Sequence, residues 1–397
     1  MPTWPDSRPK TLLIGAGVVG VAIAEAHFAA KRAFCLGDAN ASSLEQAANY
    51  FSQHGGNVES LPELLDGLHL IAVSPPLREG EAEPEPLPSL MVIESVNEQL
   101  AVKQDLLGKL SRVLQNDAIL CSNTSTLRID EIAAGREVDA HRLCGMHFFM
   151  PVHQRAGVEI VAGGGTDAEV LEQAVEYAGA IHKRAIRCKD GPGFIVNRML
   201  SPYLNQALLL LCRGATAEQI ERVAVAYGMP LSPLELIDWI GATTMFHAGR
   251  AYINAFPQRV DPSPMIPGLL KRKRLGRASG CGLYDYDRGE RSQNLSDAAA
   301  ELVETYRTAN HDYSDGDVLR LLAIPMWIEA QQILNDQIAE SMEQIDAAMV
   351  GGLGFNSHER WSSIFEEIGE NEIDAAMAVF GDQFAAMRAP ETKKPGR

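Results

Sequence analysis

The sequence predicts an α/β fold of the Rossmann type, with a doubly wound, mostly parallel sheet, over residues 1–190. One observation is the start of the chain, where the apolar run Thr11–Ile14 leads into a glycine-rich turn and then into a helix-compatible segment, 21–30. Another is the alternation of short apolar runs with helix-compatible segments as far as residue 190, which is typical of parallel sheets covered by helices.

The turn after the first predicted strand reads Gly15-Ala-Gly17-Val18-Val19-Gly20. Glycines at this spacing allow a tight turn and let the backbone approach a pyrophosphate, which the N-terminus of the following helix binds. The next predicted strand, 33–36, ends near Asp38, where a carboxylate binds the ribose hydroxyls of a dinucleotide. No arginine follows Asp38 to pair with a 2′-phosphate, so the motif predicts NAD in preference to NADP.

The following segments continue the α/β pattern. Strands are predicted at 68–74, 90–96, 118–121, 143–147, 158–161 and 183–188, and helices at 44–53, 100–114 and 168–179. The Pro- and Glu-rich stretch 75–88 has no apolar periodicity and is predicted to be an exposed loop. Ligands of such sheets bind beyond the carboxyl ends of the strands. The polar residues that fall there are Asp38, Glu98, Asn123, Ser125 and His147.

Beyond Gly191 the pattern changes to long apolar helices. The helix predicted at 195–212 and the one at 317–334 each carry an interior proline. Each is followed by a shorter predicted helix, which ends at Gly228 in the first case and at Gly351 in the second. Similar units about 122 residues apart indicate a duplication. The sequence therefore predicts two related all-α domains, 191–290 and 291–390, followed by a disordered tail, 391–397.

Composition narrows the class of protein and its partners. The net charge of −17 argues against nucleic acid and against an anionic membrane as partners. The six cysteines are scattered, which favours buried free thiols, and no residue cluster suggests a metal site. The first residues do not resemble a signal peptide, and no apolar run is long enough to span a membrane. We therefore expect a cytoplasmic protein.

A histidine and a glutamate lie beside two of the predicted strands. His147 and Glu159 are twelve positions apart, and they can meet if these strands lie side by side. Such a pair can act as a general base, because the carboxylate orients the imidazole and stabilises the imidazolium. The residues alone are equally compatible with a structural histidine and an ordinary strand glutamate.

The segment Gly145–His153, GMHFFMPVH, resembles GMHFFNPVH of the 3-hydroxyacyl-CoA dehydrogenases, as found in the multifunctional fatty-acid-oxidation alpha subunits. SNTS at 122–125 and KDGPGFIVNRML at 189–200 resemble further motifs of that family, in the same order. The resemblance implies NAD-dependent oxidation of a 3-hydroxyacyl-CoA to the 3-ketoacyl-CoA, as in β-oxidation. The roles it implies are catalysis by the His147–Glu159 dyad, orientation of the substrate oxygen by Ser125 and Asn197, and contacts to the cofactor by Asn123, Glu98 and Lys103.

Several positions depart from the family's pattern. Met150 stands where the family has Asn, and Ala278 and Cys281 stand where it has lysines. The basic helical hairpin with which the family grips the CoA phosphates is not recognisable after Asp38. The basic run 271–274 is the one segment that suggests compensation, although a solvated basic face is the simpler interpretation.

These departures leave two alternatives beside the dehydrogenase of CoA esters. The first is an NAD-dependent dehydrogenase of a 3-hydroxy acid or thioester without a CoA tail. The second is a weakly active or inactive NAD-binding homologue with a structural role. The duplication also suggests a monomer, because the second helical domain can take the place of a partner chain. A subunit of a β-oxidation complex is the other assembly that the resemblance allows.

Overall fold

The computed structural model describes residues 4–5, 7–78, 80–82, 84–356 and 360–389. The chain divides into two compact units between Phe194 and Ile195. Residues 195–397 form one unit, so the division of the helical part into two domains stays a prediction. The tail predicted at 391–397 lies outside the described residues.

The first unit is built on a nine-stranded sheet with the order β3-β4-β2-β1-β5-β6-β7-β8-β9. Neighbouring strands are parallel except in the pairs β2–β4, β3–β4 and β7–β8. The prediction of a Rossmann-type, mostly parallel sheet is therefore confirmed. The strands are β1 (Thr11–Ile14), β2 (Phe34–Asp38), β3 (Asn57–Leu61), β4 (His69–Ser74), β5 (Met91–Glu94), β6 (Ile119–Ser122), β7 (Leu143–Phe148), β8 (Gly157–Ala162) and β9 (Arg184–Lys189).

Helices cover both faces of this sheet. Every residue of β1, β5, β6 and β7 is buried, which is why these central strands are largely apolar and do not alternate with polar residues. The buried polar exceptions are Thr11, Glu94, Ser122 and His147. The helices of the first unit are α1 (Val18–Ala29), α2 (Ala41–Gln53), α3 (Leu100–Val113), α4 (Ile129–Ala133) and α5 (Ala168–Ala180).

Strand β3 was not predicted from the sequence. Its residues Asn57–Leu61 are exposed or half-buried, and it lies at the edge of the sheet, where it pairs with β4 alone. An edge strand of this kind contributes little to the core, so its sequence carries a weak apolar signal. It lies in the part of the chain after Asp38 where the sequence shows no recognisable basic helical hairpin.

The second unit is helical apart from one short hairpin. Its long helices α6 and α12 pack against each other, and the buried Arg198 guanidinium of α6 pairs with the buried Glu329 carboxylate of α12. Its elements are α6 (Val196–Leu211), α7 (Ala217–Tyr227), α8 (Pro233–Ile240), α9 (Ala242–Ala255), α10 (Met265–Lys271), β10 (Tyr286–Asp287), β11 (Glu290–Arg291), α11 (Asp297–Thr305), α12 (Asp315–Asn335), α13 (Met342–Ala347), α14 (Ser363–Ile368) and α15 (Glu370–Phe380). None of the helices in the described part of the chain combines the length and the apolar character that crossing a bilayer requires.

Candidate active site

The candidate base lies at the carboxyl end of β7. The antiparallel register of β7 and β8 places His147 directly opposite Glu159. The distance from Nδ1 of His147 to Oε2 of Glu159 is 2.7 Å, and the two side chains are 8% and 0% exposed. A buried carboxylate on Nδ1 fixes the orientation of the ring and leaves Nε2 as the nitrogen for proton transfer. The structure thus brings together the pair that the sequence singled out.

Two aromatic rings and the side-chain amide of Asn123 lie around His147. The ring of Phe149 lies 4.9 Å from the His147 ring in an edge-on arrangement, and the buried ring of Phe194 lies at 5.9 Å. Oδ1 of Asn123 accepts a hydrogen bond of 2.8 Å from the backbone N–H of Phe148. Asn123 therefore ties the end of β6 to the residue that follows the base.

Several groups of the loop after β6 donate hydrogen bonds to the same carboxylate oxygen. Oε1 of Glu98 accepts hydrogen bonds from Thr124 Oγ1 at 2.7 Å, from the backbone N–H of Ser125 at 2.8 Å and from the backbone N–H of Thr126 at 2.9 Å. Its position therefore determines where the backbone of Ser125 lies. Burial would raise the pKa of Glu98, but Lys103 and these hydrogen bonds outweigh it and hold the pKa below its usual value.

Lys103 lies beneath Glu98 and is 1% exposed. Its Nζ is 3.3 Å from Oε2 of Glu98 and 2.9 Å from each carboxylate oxygen of Glu94, which is wholly buried at the end of β5. The predicted contact of Lys103 with the cofactor stays a prediction, since its ammonium is held by these two carboxylates. Sequence reasoning missed Glu94. The one signal was a carboxylate at the end of an otherwise apolar strand.

The glycine-rich turn fits a dinucleotide. A side chain at Gly15 would clash with the carbonyl of Ser95, and one at Gly20 would lie 1.8 Å from the carbonyl oxygen of Gly15. A Cβ at Gly17, by contrast, would meet no atom of the described residues within 4 Å, so this glycine faces open space at the N-terminus of α1. Val18 is 81% exposed beside it. The open helix end has the room and the backbone donors that a pyrophosphate requires.

Asp38 lies at the end of β2, beside this turn, as the motif predicted. Its Oδ2 accepts a hydrogen bond of 2.6 Å from the backbone N–H of Ala16, and its Oδ1 accepts one of 2.7 Å from Asn40. The carboxylate therefore braces the glycine-rich turn, a role that the sequence did not predict. Its remaining lone pairs suit ribose hydroxyls, so Asp38 and the turn together fit NAD.

The other residues singled out in the sequence are Met150, Asn197 and the basic run 271–274. Met150, 44% exposed, follows β7, and Asn197 lies in the first turn of α6 in the second unit. In the basic run 271–274, Arg272 pairs with Glu301 at 2.9 Å and Arg274 with Asp285 at 2.5 Å. These two arginines are held by the chain itself, which weakens the idea that the run replaces the missing grip on CoA. The described residues contain no cluster of three or more potential metal ligands.

Two family models match the chain. The model of the "3-hydroxyacyl-CoA dehydrogenase, NAD binding domain" matches residues 10–191. The model of the "3-hydroxyacyl-CoA dehydrogenase, C-terminal domain" matches residues 193–286. The two matches together cover most of the chain and follow one another in the order of the two units.

Known proteins with sequences or structures similar to this chain carry the same family names. The fatty acid oxidation complex subunit alpha of Pseudomonas aeruginosa (strain LESB58) is 32% identical over 270 residues, which is 67% of this chain and 38% of that protein. The chain thus spans less than two-fifths of the length of this relative. The structure of 3-hydroxybutyryl-CoA dehydrogenase from Escherichia coli K12 matches over 96% of both chains, with a TM-score of 0.72 and 23% identity. (S)-3-hydroxybutyryl-CoA dehydrogenase from Ralstonia eutropha, with a TM-score of 0.56 and 25% identity, covers 70% of this chain with its whole length.

Proposed function

The chain belongs to the 3-hydroxyacyl-CoA dehydrogenase family, and from that membership we propose that it oxidises a 3-hydroxyacyl thioester to the 3-ketoacyl thioester with NAD. The observation that carries the proposal is the buried pair of His147 and Glu159 at the carboxyl end of β7. The parallel neighbour β6 ends at the same edge of the sheet and leads into the loop that bears Ser125.

The residues of the site have separate roles in the proton transfer and in the hydride transfer. Nε2 of His147 removes the proton of the 3-hydroxyl group, while Glu159 holds Nδ1 and stabilises the imidazolium. The glycine-rich turn and Asp38 would hold NAD, which would supply the acceptor for the hydride from C3. Ser125 donates a hydrogen bond to the oxygen as it becomes a carbonyl, the role that the family resemblance gives it.

We also propose that the helical unit arose by duplication. Helices α6 and α12 are its two longest helices and each contains a proline, Pro202 and Pro325. A shorter helix follows each of them, α7 and α13. The match of the family's C-terminal model ends at residue 286, so the second copy would be residues 291–390, as the repeat in the sequence suggests.

A specific observation favours the second candidate function, a substrate without a CoA tail. Residues 33–77, which include β2, β3 and β4, contain no lysine or arginine. The following loop adds four glutamates, of which Glu81 and Glu85 belong to the described residues while Glu79 and Glu83 lie outside them. Surface charge pairs contribute roughly 0–1 kcal/mol each, so losing two or three and adding the repulsion of the glutamates would weaken binding of a CoA ester by about 1–3 kcal/mol, or about 5- to 150-fold.

One set of assays tests both candidates. NADH formation is followed with 3-hydroxyacyl-CoA esters, with the same acyl groups on N-acetylcysteamine and with free 3-hydroxy acids. We expect turnover of thioesters, with a Michaelis constant for the CoA ester that is no better than that for the short thioester and hardly changes with salt. A strong preference for CoA that salt abolishes would show that the phosphates are gripped after all.

The same assays address the third interpretation. If NADH binds but no substrate class is oxidised, the enzymatic proposal fails and a structural NAD-binding role remains.

A further inference from the structure

Two buried charges support the loop that carries Ser125. Glu94 and Lys103 are 0% and 1% exposed, and Nζ of Lys103 lies 2.9 Å from both oxygens of Glu94. Burying such a pair carries a desolvation penalty, and a well-packed apolar pair is often equally stable. A gain in the stability of the core therefore does not explain why Glu94 and Lys103 are buried together. The explanation lies in the other groups that these two side chains contact.

Glu94 contacts the start of the loop. The hydroxyl of Ser122 donates to Oε1 of Glu94, and Ser122 Oγ in turn accepts a hydrogen bond of 3.3 Å from the backbone N–H of Thr124. The backbone N–H of Val96 donates to Oε2 of Glu94 at 3.1 Å. Glu94 is thereby fixed to β6 and to the segment that leads to Glu98.

Lys103 contacts the tip of the loop through Glu98. Its ammonium lies between Glu94 and Glu98, 3.3 Å from Oε2 of Glu98. The other oxygen of Glu98 collects the backbone N–H groups of Ser125 and Thr126. Without the cation between them, Glu94 and Glu98 would repel each other, and Glu98 would lose the partner that keeps Oε1 beneath the loop.

We infer that Glu94 and Lys103 are positioning residues, which hold Ser125 in place from below through Ser122 and through Glu98. Their catalytic consequence rests on the function proposed for Ser125, whereas their effect on the loop does not. This role of Lys103 differs from a direct contact with the cofactor, because it requires the ammonium to stay buried between the carboxylates of Glu94 and Glu98.

Three variants test this inference: Glu94→Gln, Lys103→Met and the double variant. Lys103→Met leaves the buried Glu94 carboxylate without its cation and should be strongly destabilised. Glu94→Gln should be destabilised less, because Lys103 keeps Glu98 at 3.3 Å. The double variant removes both charges at nearly constant volume, so its denaturant midpoint should return most of the way to that of the parent. Turnover should not return with it, because Glu98 still lacks its cation. We expect kcat of the double variant to stay about tenfold to a hundredfold low, the scale of a misplaced group.

Lys109→Met is the matched control. Lys109 lies on the same helix, α3, and pairs with Asp105 at 2.7 Å, but 48% of its side chain is exposed. This variant should change neither stability nor turnover. If the double variant regains turnover together with stability, the pair is structural only and the inference is wrong.

A second readout is independent of any substrate. Amide hydrogen exchange of Ser125 and Thr126 reports directly on the bonds to Glu98, and it should be at least tenfold faster in the double variant than in the parent and in Lys109→Met. Unchanged exchange would overturn the inference even if activity falls. Faster exchange in an enzyme that oxidises no tested thioester would uphold the support of the loop while the proposed function fails.

Discussion

At the residue scale, the bond between His147 and Glu159 leads to the most direct prediction. His147→Ala should lower turnover by about 10²-fold or more, the usual contribution of a general base, while the affinity for NADH barely changes. Steady-state kinetics and fluorescence titration measure the two quantities. His153→Ala is the control, because this histidine is exposed two residues beyond Pro151. Near-normal turnover of His147→Ala would rule out the dyad.

Met150 gives a second prediction at this scale. Met150→Asn restores the hydrogen-bonding group that the family has at this position. One hydrogen bond is worth about 0.5–1.5 kcal/mol, so kcat should rise by roughly 2- to 10-fold. Met150→Leu, which stays apolar, should leave kcat unchanged. A fall in kcat for the Asn variant would show that the thioether belongs to a site adapted to another substrate.

The sequence reveals some of these residues and hides others for a physical reason. His147 and Glu159 were predictable because both stand at strand positions, where register alone decides whether they meet. Glu94 was not, because the sequence shows a carboxylate at the end of an apolar run but not the ammonium of Lys103 that makes its burial tolerable. Likewise, nothing in the sequence shows that Asp38 bonds the N–H of Ala16.

At the element scale, the unit of β1, turn and α1 with Asp38 predicts the choice of cofactor. A 2′-phosphate would lie against the Asp38 carboxylate with no arginine to pair with it, so NADH should bind at least about ten times more tightly than NADPH. Fluorescence titrations of both nucleotides measure the ratio. Asp66→Asn, in an exposed loop after β3, should not alter it. Equal affinities for the two nucleotides would refute the assignment.

The central strands, whose residues are buried on both faces of the sheet, were predicted from their apolar runs, and so was the partly exposed edge strand β9. The strands β1, β5 and β6 appear in the sequence as largely apolar runs, whereas three of the five residues of β3 are exposed and the strand was not predicted. The end of a helix was also misjudged. The helix predicted to end at Gly351 continues as a π-helical turn, Ala348–Leu353, and Gly354 with φ of 83° ends it. Local sequence does not distinguish between these glycines.

At the scale of the whole molecule, a buried histidine should make stability depend on pH. His27 bonds Ile23 and Tyr177 in the core of the first unit, and burial lowers its pKa from 6.5 to about 4. The unfolded chain therefore takes up the proton first, and stability present above pH 6.5 is lost as the pH falls towards 4. Between pH 7 and pH 5 the loss should be about 2 kcal/mol.

Denaturant unfolding of the parent and of His27→Gln at both pH values measures this contribution. The difference between the two pH values should shrink by about that amount in the variant, although the variant itself is less stable. An unchanged difference would show that His27 does not control the acid sensitivity.

The packing of α12 on α6 predicts the assembly. Thirteen of the sixteen residues of α6 are buried within this chain, so no apolar face of α6 is left for a second copy. We expect a monomer when no other subunit is present, and light scattering of the purified chain measures it. A tight dimer that dissociates on mutation of the apolar residues of α6 would contradict this expectation.

The pairing of Arg198 on α6 with Glu329 on α12 has an evolutionary consequence. In a symmetric homodimer every substitution appears on both sides of the axis at once, so an arginine cannot be introduced on one side and a glutamate on the other. Two helices encoded in one gene can diverge independently. If the helical unit arose by the duplication proposed above, one copy could keep the residues that chemistry requires while the other adapts to cover it.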